Sequence, residues 1–270
     1  MIRFLLIFWF IYYSIYHRVS PWRFFQLNAP YFNSRKGIFS KLDIDRCIPT
    51  AWRLWQGPVN AEITPTIFPV FFKPEWGQNS HGIFRVDNRK EFQIGCCRVA
   101  HKKMNYIVQE AAQEMREFEI FYIRSAHEES HHATFSITEV MNTGKESFPI
   151  NGIYNENSVY HNCTKEFSAD ELEKIWGHFK SICAYRIARV GLRTNSREDL
   201  LAGIFHIIEI NLFLPMPLSL LDTKMSWADK IGFIKKAMDH AALAVKAIPE
   251  KQSGKAIFWK KLVAHSRTTK

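Results

Sequence analysis

Two polar segments, each attached to an apolar strand, constrain the fold more than any other feature of this chain. The first, residues 68–83, reads FPVFFKPEWGQNSHGI. The second begins with RVGLR at 189–193 and continues to IIEIN at 207–211. Alternation of apolar and polar residues predicts strands that bury one face and present the other. The sequence therefore predicts a fold of mixed strands and helices in which distant parts of the chain build one polar site.

Composition and charge exclude some classes of function. The 270 residues carry a net charge of +10, and 47% of them are hydrophobic, which is typical of a globular protein. Residues 224–270 contain eleven basic and three acidic side chains, so most of the excess positive charge lies in this tail. A nucleic-acid site needs basic residues along a binding face, so we expect no nucleic-acid partner. Such a tail fits an anionic membrane surface or a solubilising role.

The five cysteines form an odd set without a C-x-x-C pair, which favours a reducing compartment. Further strands are predicted near residues 67–73, 106–109, 118–123, 133–140, 185–193 and 204–211. A short helix is predicted within 86–98. Ser168 and Glu171 form a capping box that predicts a helix after Ser168.

The first polar segment has the features of an anion site. Lys73 ends an apolar strand, and burial of its ammonium group without a counter-charge is costly, so a triphosphate would suit it. Gly77 and Gly82 bracket a polar loop, and glycines allow backbone amides to turn toward an anion. The alternative is an ordinary hairpin loop bounded by glycines.

The second segment has the features of a metal site. Strand alternation puts Arg189, Gly191 and Arg193 on one face, and Glu209 and Asn211 on one face of the next strand. Carboxylate and amide oxygens suit Mg²⁺, and arginine stabilises charge on a transferred phosphoryl group. The alternative is a surface sheet with solvated polar residues.

Residues 68–84 resemble the Lys-Pro strand and glycine-rich lid of the ATP-grasp superfamily, in particular the D-alanine–D-alanine ligase-like carboxylate–amine ligases of bacteria. Residues 188–193 and 207–211 resemble its closing motif, with Gly191 where the family has an aspartate metal ligand. The resemblance implies an α+β ATP-grasp fold with the nucleotide between two subdomains. It implies that the cofactor is bound by Lys41, Lys73, Gly77, Ser80, His81, Gly82, Gln109, Glu110 and Glu117, that Arg189 is catalytic, and that Glu209 and Asn211 bind metal.

The same resemblance implies a function that uses ATP and Mg²⁺ (or Mn²⁺). A carboxylate becomes an acylphosphate, and an amine then displaces phosphate to form an amide or peptide bond. Both substrates are unknown. Because Gly191 removes one anionic ligand, a catalytically weakened nucleotide-binding protein at a membrane surface is the alternative.

The resemblance also suggests a division of the chain. Residues 1–60 form an apolar N-terminal segment and a reduced region before the core. Residues 61–223 form the core, with subdomains at about 61–125 and 126–223. Residues 224–270 form a basic helical tail.

Residues 4–16 are almost wholly apolar and aromatic. They are short for a membrane-spanning helix, so we expect either an interfacial anchor or a buried helix. In the tail, Trp227, Ile231, Ile234, Met238, Ala241, Val245 and Ile248 form a helical stripe, with Lys230, Lys235, Lys236 and Asp239 off it. A core-packed helix with a solvated basic face is the first expectation, and a helix at a membrane surface is the alternative. The expected location is cytoplasmic, with contact at the inner face of the membrane left open.

A third function follows from His127, Glu128 and His131, which match the zinc-peptidase motif H-E-x-x-H. That motif requires a helix, whereas β-rich segments flank it here. We expect it to lie in a hairpin turn instead.

Overall fold

The computed structural model describes residues 1–59, 65–77, 80–250, 252, 257 and 259. Two antiparallel sheets form its framework. The first sheet contains β1 (Gln56–Pro58), β2 (Val70–Pro74), β3 (Phe84–Val86) and β4 (Tyr106–Glu110), in the order β1-β4-β2-β3. Val70 and Phe72 of β2 are fully buried and alternate with residues that are partly exposed. This alternation places one face of the sheet against a helix and leaves the other face for the cleft described below.

The second sheet is larger. It contains β5 (Arg116–Arg124), β6 (His132–Asn142), β7 (Ser158–Asn162), β8 (Ile187–Thr194) and β9 (His206–Asn211), in the order β7-β6-β5-β8-β9. All neighbouring strands are antiparallel. The central strand β5 is almost wholly buried, which explains its length and its apolar content.

Within residues 1–250, as far as the structure describes them, six α-helices surround the sheets. They are α1 (Ile2–Tyr16), α2 (Lys41–Asp45), α3 (Arg89–Ala100), α4 (Ala169–Phe179), α5 (Arg197–Ala202) and α6 (Trp227–Lys246). Phe92 and Val99 of α3 join the core of the first sheet. Ile175, Trp176 and Phe179 of α4 pack on one face of the second sheet.

The other face of the second sheet is divided between an apolar and a polar part. Phe121 and Ile123 of β5 pack with α6 and α1. Glu117 and Glu119 lie on the same face of β5, because alternate residues of a strand point to one side. That face is therefore covered by helices at one end and polar at the other end, where the cleft lies.

The predicted strands and the predicted helix within 86–98 are present with shifted ends. For example, β2 starts at Val70 instead of residue 67, after Pro69, which lacks a backbone donor for a sheet. The capping box is also present: Ser168 Oγ accepts from Glu171 N, and the Glu171 carboxylate accepts from Ser168 N.

In α6, Ile234, Met238, Ala241 and Val245 are buried, as the stripe predicts, whereas Trp227 at the start of the stripe is exposed. The expectation of a solvated Lys230 is wrong. Its side chain is buried, with Nζ 5.3 Å from the centre of the Trp227 ring. The basic residues at 251, 255, 260, 261, 267 and 270 lie outside the described residues.

The apolar segment 4–16 forms most of α1, which packs along α6. Within the described part of the chain, no helix is long and apolar enough to cross a membrane. The H-E-x-x-H motif lies in the turn between β5 and β6, as predicted, and His131 Nδ1 is 3.0 Å from Glu128 Oε1. A turn does not present both histidines on one helical face.

The chain passes from the first sheet to the second between Glu110 and Arg116. The sequence analysis put the subdomain division near residue 125. The two positions differ because β5, which ends at Arg124, pairs with β6 and β8 of the second sheet.

Candidate active site

A cleft lies between the polar faces of the two sheets, and its empty space, which includes open solvent, is about 860 Å³. The predicted site residues that line it are Lys73, Ser80, Gln109, Glu110, Glu117, Arg189 and Glu209. Two halves that are far apart in sequence thus meet in one volume.

Lys73 comes from β2 of the first sheet. Its Nζ donates to Gln109 Oε1 at 2.6 Å and to the Ile208 carbonyl oxygen at 3.4 Å, which joins the two sheets. Burial lowers the pKa of Lys73 to about 8, and the nearby Glu209 only partly opposes this effect. The ammonium group therefore lacks sufficient negative charge around it, and an anionic ligand would provide it.

Lys41 lies beside the cleft, at the start of α2. Its Nζ donates to the Pro74 carbonyl oxygen at 2.9 Å. Burial lowers the pKa of Lys41, and Glu209 and Glu75 raise it in part. Two lysines from different segments thus act electrostatically on the same carboxylate, Glu209, whose pKa they help to lower.

Arg189 lies between two carboxylates of the second sheet. Its Nε is 3.2 Å from Glu119 Oε2, and its Nη2 is 3.5 Å from Glu209 Oε1. Asn211 Nδ2 donates to the same Glu209 oxygen at 2.8 Å. Strand register explains this arrangement, because Arg189 is opposite Asn211, and Gly191 is opposite both Glu119 and Glu209.

The charges of this group are strongly coupled. Burial raises the pKa of Glu119 to about 8 even though Arg189 lowers it. Burial would also raise the pKa of Glu209, but Arg189, Lys41 and Lys73 outweigh it and hold that pKa below its usual value. Glu209 is therefore ionised at neutral pH, whereas the raised pKa of Glu119 favours its protonated form there.

Several buried polar atoms at this point have no hydrogen-bond partner among the described residues. They are Glu119 Oε2, Arg189 Nε and the Tyr160 hydroxyl. Glu119 Oε2 and Arg189 Nε are close enough to form an ion pair, but their geometry does not satisfy a hydrogen bond. Unpartnered buried polar groups are costly, so their concentration in one cleft indicates a polar ligand.

Glu117 lies two residues before Glu119 in β5, so the two side chains point to the same face of the sheet. Glu117 Oε2 accepts from Asn151 Nδ2 at 3.0 Å and from Arg193 Nη2 at 3.3 Å. Burial nevertheless raises the pKa of Glu117, with Arg193 acting against it. Glu110, at the end of β4, accepts from the Trp55 backbone N–H at 2.7 Å.

The loop that follows β2 borders the cleft. Ser80 Oγ donates to the Asn151 carbonyl oxygen at 2.6 Å, so the loop contacts the segment between β6 and β7. Gly82 has a φ of +77°, and a Cβ there would lie 2.9 Å from the Tyr106 hydroxyl. His81 is exposed. Gln78 and Asn79, which the sequence analysis includes in this loop, lie outside the described residues.

The donor set fits a divalent cation of the Mg²⁺ type. Glu209 and Asn211 offer oxygen ligands, and Glu119 Oε2 is a buried oxygen without a hydrogen-bond partner. The described residues contain no group of three or more His, Cys, Asp or Glu side chains suited to a metal. Mg²⁺ binds through one or two protein carboxylates and keeps water and substrate phosphate in its shell.

Not every predicted residue lines the cleft. Lys41, Gly77, His81, Gly82 and Asn211 are absent from its walls, although Lys41 and Asn211 act on Glu209. Glu119, Asn151 and Tyr160 also line the cleft but were not predicted, and Arg193 was predicted without a role. Strand alternation places Glu119 on the same face as Glu117 and could have predicted it, whereas no local pattern marks Asn151 or Tyr160.

No family model and no curated protein matches this sequence. Solved structures do match its fold, and they identify it as the ATP-grasp fold. The L-amino acid ligase from Bacillus licheniformis aligns with 75% of this chain, with a TM-score of 0.50 and 17% identity. The VanG D-Ala:D-Ser ligase from Enterococcus faecalis aligns with 77%, with a TM-score of 0.51 and 14% identity.

The aligned regions make up 47% of the first ligase and 60% of the second. This chain therefore spans about half the length of these enzymes. The likeness establishes the fold alone.

Proposed function

We propose that this protein is an ATP-dependent carboxylate–amine ligase. The carboxylate would attack the terminal phosphorus of ATP and release ADP, which leaves an acylphosphate. The amine would then attack the acyl carbon, lose a proton and expel phosphate, which forms an amide or peptide bond. The identities of the carboxylate and the amine are left open.

One observation carries the proposal. Lys73 from the first sheet and Arg189 and Glu209 from the second sheet line a single cleft. A cation with unsatisfied charge, a buried arginine and an ionised carboxylate are the groups that phosphoryl transfer needs, because that chemistry depends on positioning and charge stabilisation.

Each group has a distinct role in this proposal. Lys73 and Lys41 would neutralise the phosphates of ATP, with the loop from Gly77 to Gly82 beside them. Gln109, Glu110 and Glu117 line the same cleft and would contact the nucleoside. Arg189 would stabilise the charge that develops on the transferred phosphoryl group.

Glu209 and Asn211 would hold the Mg²⁺ or Mn²⁺ ion. Such an ion, when bound, neutralises phosphate charge and orients the terminal phosphoryl group. The chain's own contribution is the fixed direction of the ligands, because Asn211 donates to Glu209 and Arg189 contacts the same carboxylate.

Gly191 favours a second candidate, a nucleotide-binding protein with weakened catalysis. A glycine adds no carboxylate to the row of Glu119 and Glu209. In that case ATP would bind without rapid turnover.

The exposed face of α1 supports contact with the inner face of the membrane. Phe4, Phe8, Ile15 and Tyr16 are each more than half exposed. Arg3 and Arg18 lie near the two ends of the helix. Aromatic and basic side chains of this kind suit the headgroup region of an anionic bilayer. ATP is supplied in the cytoplasm, so the proposal puts the protein there.

Vesicle sedimentation tests the membrane contact. The full chain should sediment with phosphatidylglycerol vesicles, and a Phe4→Ser/Phe8→Ser variant should stay in the supernatant. Equal recovery of both proteins in the supernatant would exclude the contact.

ATP turnover tests the ligase. ADP release by the full chain should depend on added pools of carboxylates and amines, and it should fall at least a hundredfold in Glu209→Ala. Glu128→Ala removes an exposed carboxylate in the β5–β6 turn and should leave the rate unchanged. ATP binding without acceptor-dependent ADP release would favour the second candidate, and unaltered turnover by Glu209→Ala would exclude the assigned site.

A further inference from the structure

We propose that Glu119 is a metal ligand and that it forms, with Glu209, a two-carboxylate site across the glycine at position 191. The inference rests on the proposed function, because it concerns the cation that accompanies ATP in the same cleft. It adds a residue that neither the motif pattern nor the fold comparison assigns.

Strand register places the three residues in one row. Glu119 of β5 is opposite Gly191 of β8, and Gly191 is opposite Glu209 of β9. Directly opposed residues of antiparallel strands point to the same face of a sheet. The carboxylates of Glu119 on β5 and Glu209 on β9 therefore both point into the cleft. Gly191 on β8, which lies between these strands, has no side chain.

The gap above Gly191 is bordered by both glutamates. A Cβ built on Gly191 would lie 3.4 Å from Glu119 Oε1 and 3.3 Å from Glu209 Cγ. The long side chain of Glu119 thus reaches over the neighbouring strand, toward the space that a side chain at position 191 would occupy. Glycine leaves this space open, whereas an added Cβ would touch Glu119 Oε1 and would need a small shift of the Glu209 side chain.

Glu119 shares its ion-pair partner with Glu209. Arg189 contacts both carboxylates, at 3.2 Å and 3.5 Å, whereas Lys41 and Lys73 act on Glu209, and Glu119 Oε2 has no hydrogen-bond partner among the described residues. The side chains of Glu119 and Arg189 are only 7% and 16% exposed, so water does not readily replace the missing partner. A divalent cation would provide both the charge and the bond that Glu119 lacks.

A positioning role for Glu119 gives a different expectation. If Glu119 only oriented Arg189, its loss would weaken ATP binding with and without metal. If Glu119 binds the metal, its loss weakens only the metal-dependent part. In the absence of metal, removal of a negative charge near the phosphates would leave ATP binding unchanged or make it stronger.

The test uses calorimetric titration of the full chain with ATP, in Mg²⁺ and in EDTA, for wild type and Glu119→Gln. Glutamine keeps the size of the side chain and removes its charge. We expect at least tenfold weaker binding of ATP in Mg²⁺ and no loss in EDTA. A second assay measures Mn²⁺ binding, with ATP present, as the loss of the electron paramagnetic resonance signal of free Mn²⁺. Glu119→Gln should bind Mn²⁺ more weakly than wild type in this assay.

Two further variants complete the experiment. Glu139→Gln removes a strand carboxylate that pairs with Arg116, opposite Phe118 and so on the other face of the sheet, and should change neither titration. Glu119→Gln/Gly191→Asp moves the carboxylate to the middle strand and should regain most of the Mg²⁺ dependence. Gly191→Asp alone should not tighten binding, because Glu119 already borders that space.

The outcomes separate the two proposals. Absence of ATP binding by wild type would overturn the proposed function together with this inference. Mg²⁺-dependent binding that is equal in wild type and Glu119→Gln would overturn the inference alone. Equal losses in Mg²⁺ and in EDTA would assign Glu119 to the positioning of Arg189 and would also overturn it.

Discussion

Replacement of Lys73 by methionine should weaken ATP binding and, at the same time, stabilise the free protein. The ammonium group loses hydration in the cleft, and burial lowers its pKa from 10.5 to about 8. A shift of this size corresponds to about 3 kcal/mol of destabilisation by protonated Lys73 at neutral pH. Methionine removes that cost and nearly matches the length of the side chain.

The net gain is smaller than the electrostatic cost. Lys73 is only partly buried, and its substitution also removes the hydrogen bond to Gln109. That charge-assisted bond contributes about 1.5–3 kcal/mol, so Lys73→Met should raise the free energy of unfolding by up to about 1.5 kcal/mol at pH 7. The melting temperature should then rise by up to about 5 °C.

The pH dependence has a definite sign. The unfolded chain binds the Lys73 proton more tightly than the folded protein does, so wild-type stability gains with rising pH between about 8 and 10.5. The advantage of Lys73→Met should therefore be full below pH 8 and should disappear before pH 10.5, because at that pH only the loss of the hydrogen bond to Gln109 remains.

The assay is thermal unfolding of wild type and Lys73→Met at pH 7.0 and 10.0, together with ATP titration at pH 7.0. Loss of a charge-assisted contact worth about 1.5–3 kcal/mol should weaken ATP binding roughly 10- to 150-fold. Lys90→Met, an exposed lysine on α3, serves as the matched control and should change neither quantity. A Lys73→Met protein that is less stable than wild type at pH 7.0 would refute the reasoning.

Two further predictions concern the walls of the cleft. Arg193→Gln leaves the buried carboxylate of Glu117 without its ion pair, so the free energy of unfolding in urea should fall by about 3 kcal/mol, and a second change, Glu117→Gln, should recover part of it. Gly82→Ala should destabilise by about 1–2 kcal/mol, since φ is +77° and the Cβ would lie 2.9 Å from the Tyr106 hydroxyl. Gly232→Ala in α6, where a Cβ meets nothing within 4 Å, should instead stabilise by about 0.5–1 kcal/mol in the same titration.

Local patterns in the sequence predict much of the framework. Alternation along a strand is enough to place Glu209 and Asn211 on one face, and Asn211 Nδ2 donates a hydrogen bond to Glu209 Oε1 there. The capping box at Ser168 is equally local, since its two bonds join residues three apart. Such features depend on a few neighbouring residues, so one sequence contains the information for them.

The partners across strands are not local. Glu119 is 72 positions from Gly191 and 90 from Glu209 in the sequence, and only the register of β5, β8 and β9 places them in one row. The same holds for Arg193 and Glu117, whose ion pair links β8 to β5. The resemblance to the ATP-grasp closing motif implied that Gly191 stands in place of an aspartate, but it did not indicate which other carboxylate lies beside the gap.

The burial of Lys230 has a similar explanation. The stripe on α6 predicts which residues face the core, and it puts Lys230 outside them. In the fold, the side chain is buried beside the Trp227 ring, and an aromatic face accommodates a cation. The long alkyl part of a lysine can be buried against apolar groups. Helical periodicity does not predict such burial, because it treats lysine only as a charged residue.

The most direct test of the account is a crystal structure of the full chain with a non-hydrolysable ATP analogue and Mn²⁺. The account predicts the triphosphate beside Lys73 in the cleft between the sheets. It also predicts a metal ion bonded to oxygens of Glu209 and Glu119, at about 2.0–2.2 Å. A nucleotide bound elsewhere, or a metal ion in the cleft that contacts neither carboxylate, would contradict it.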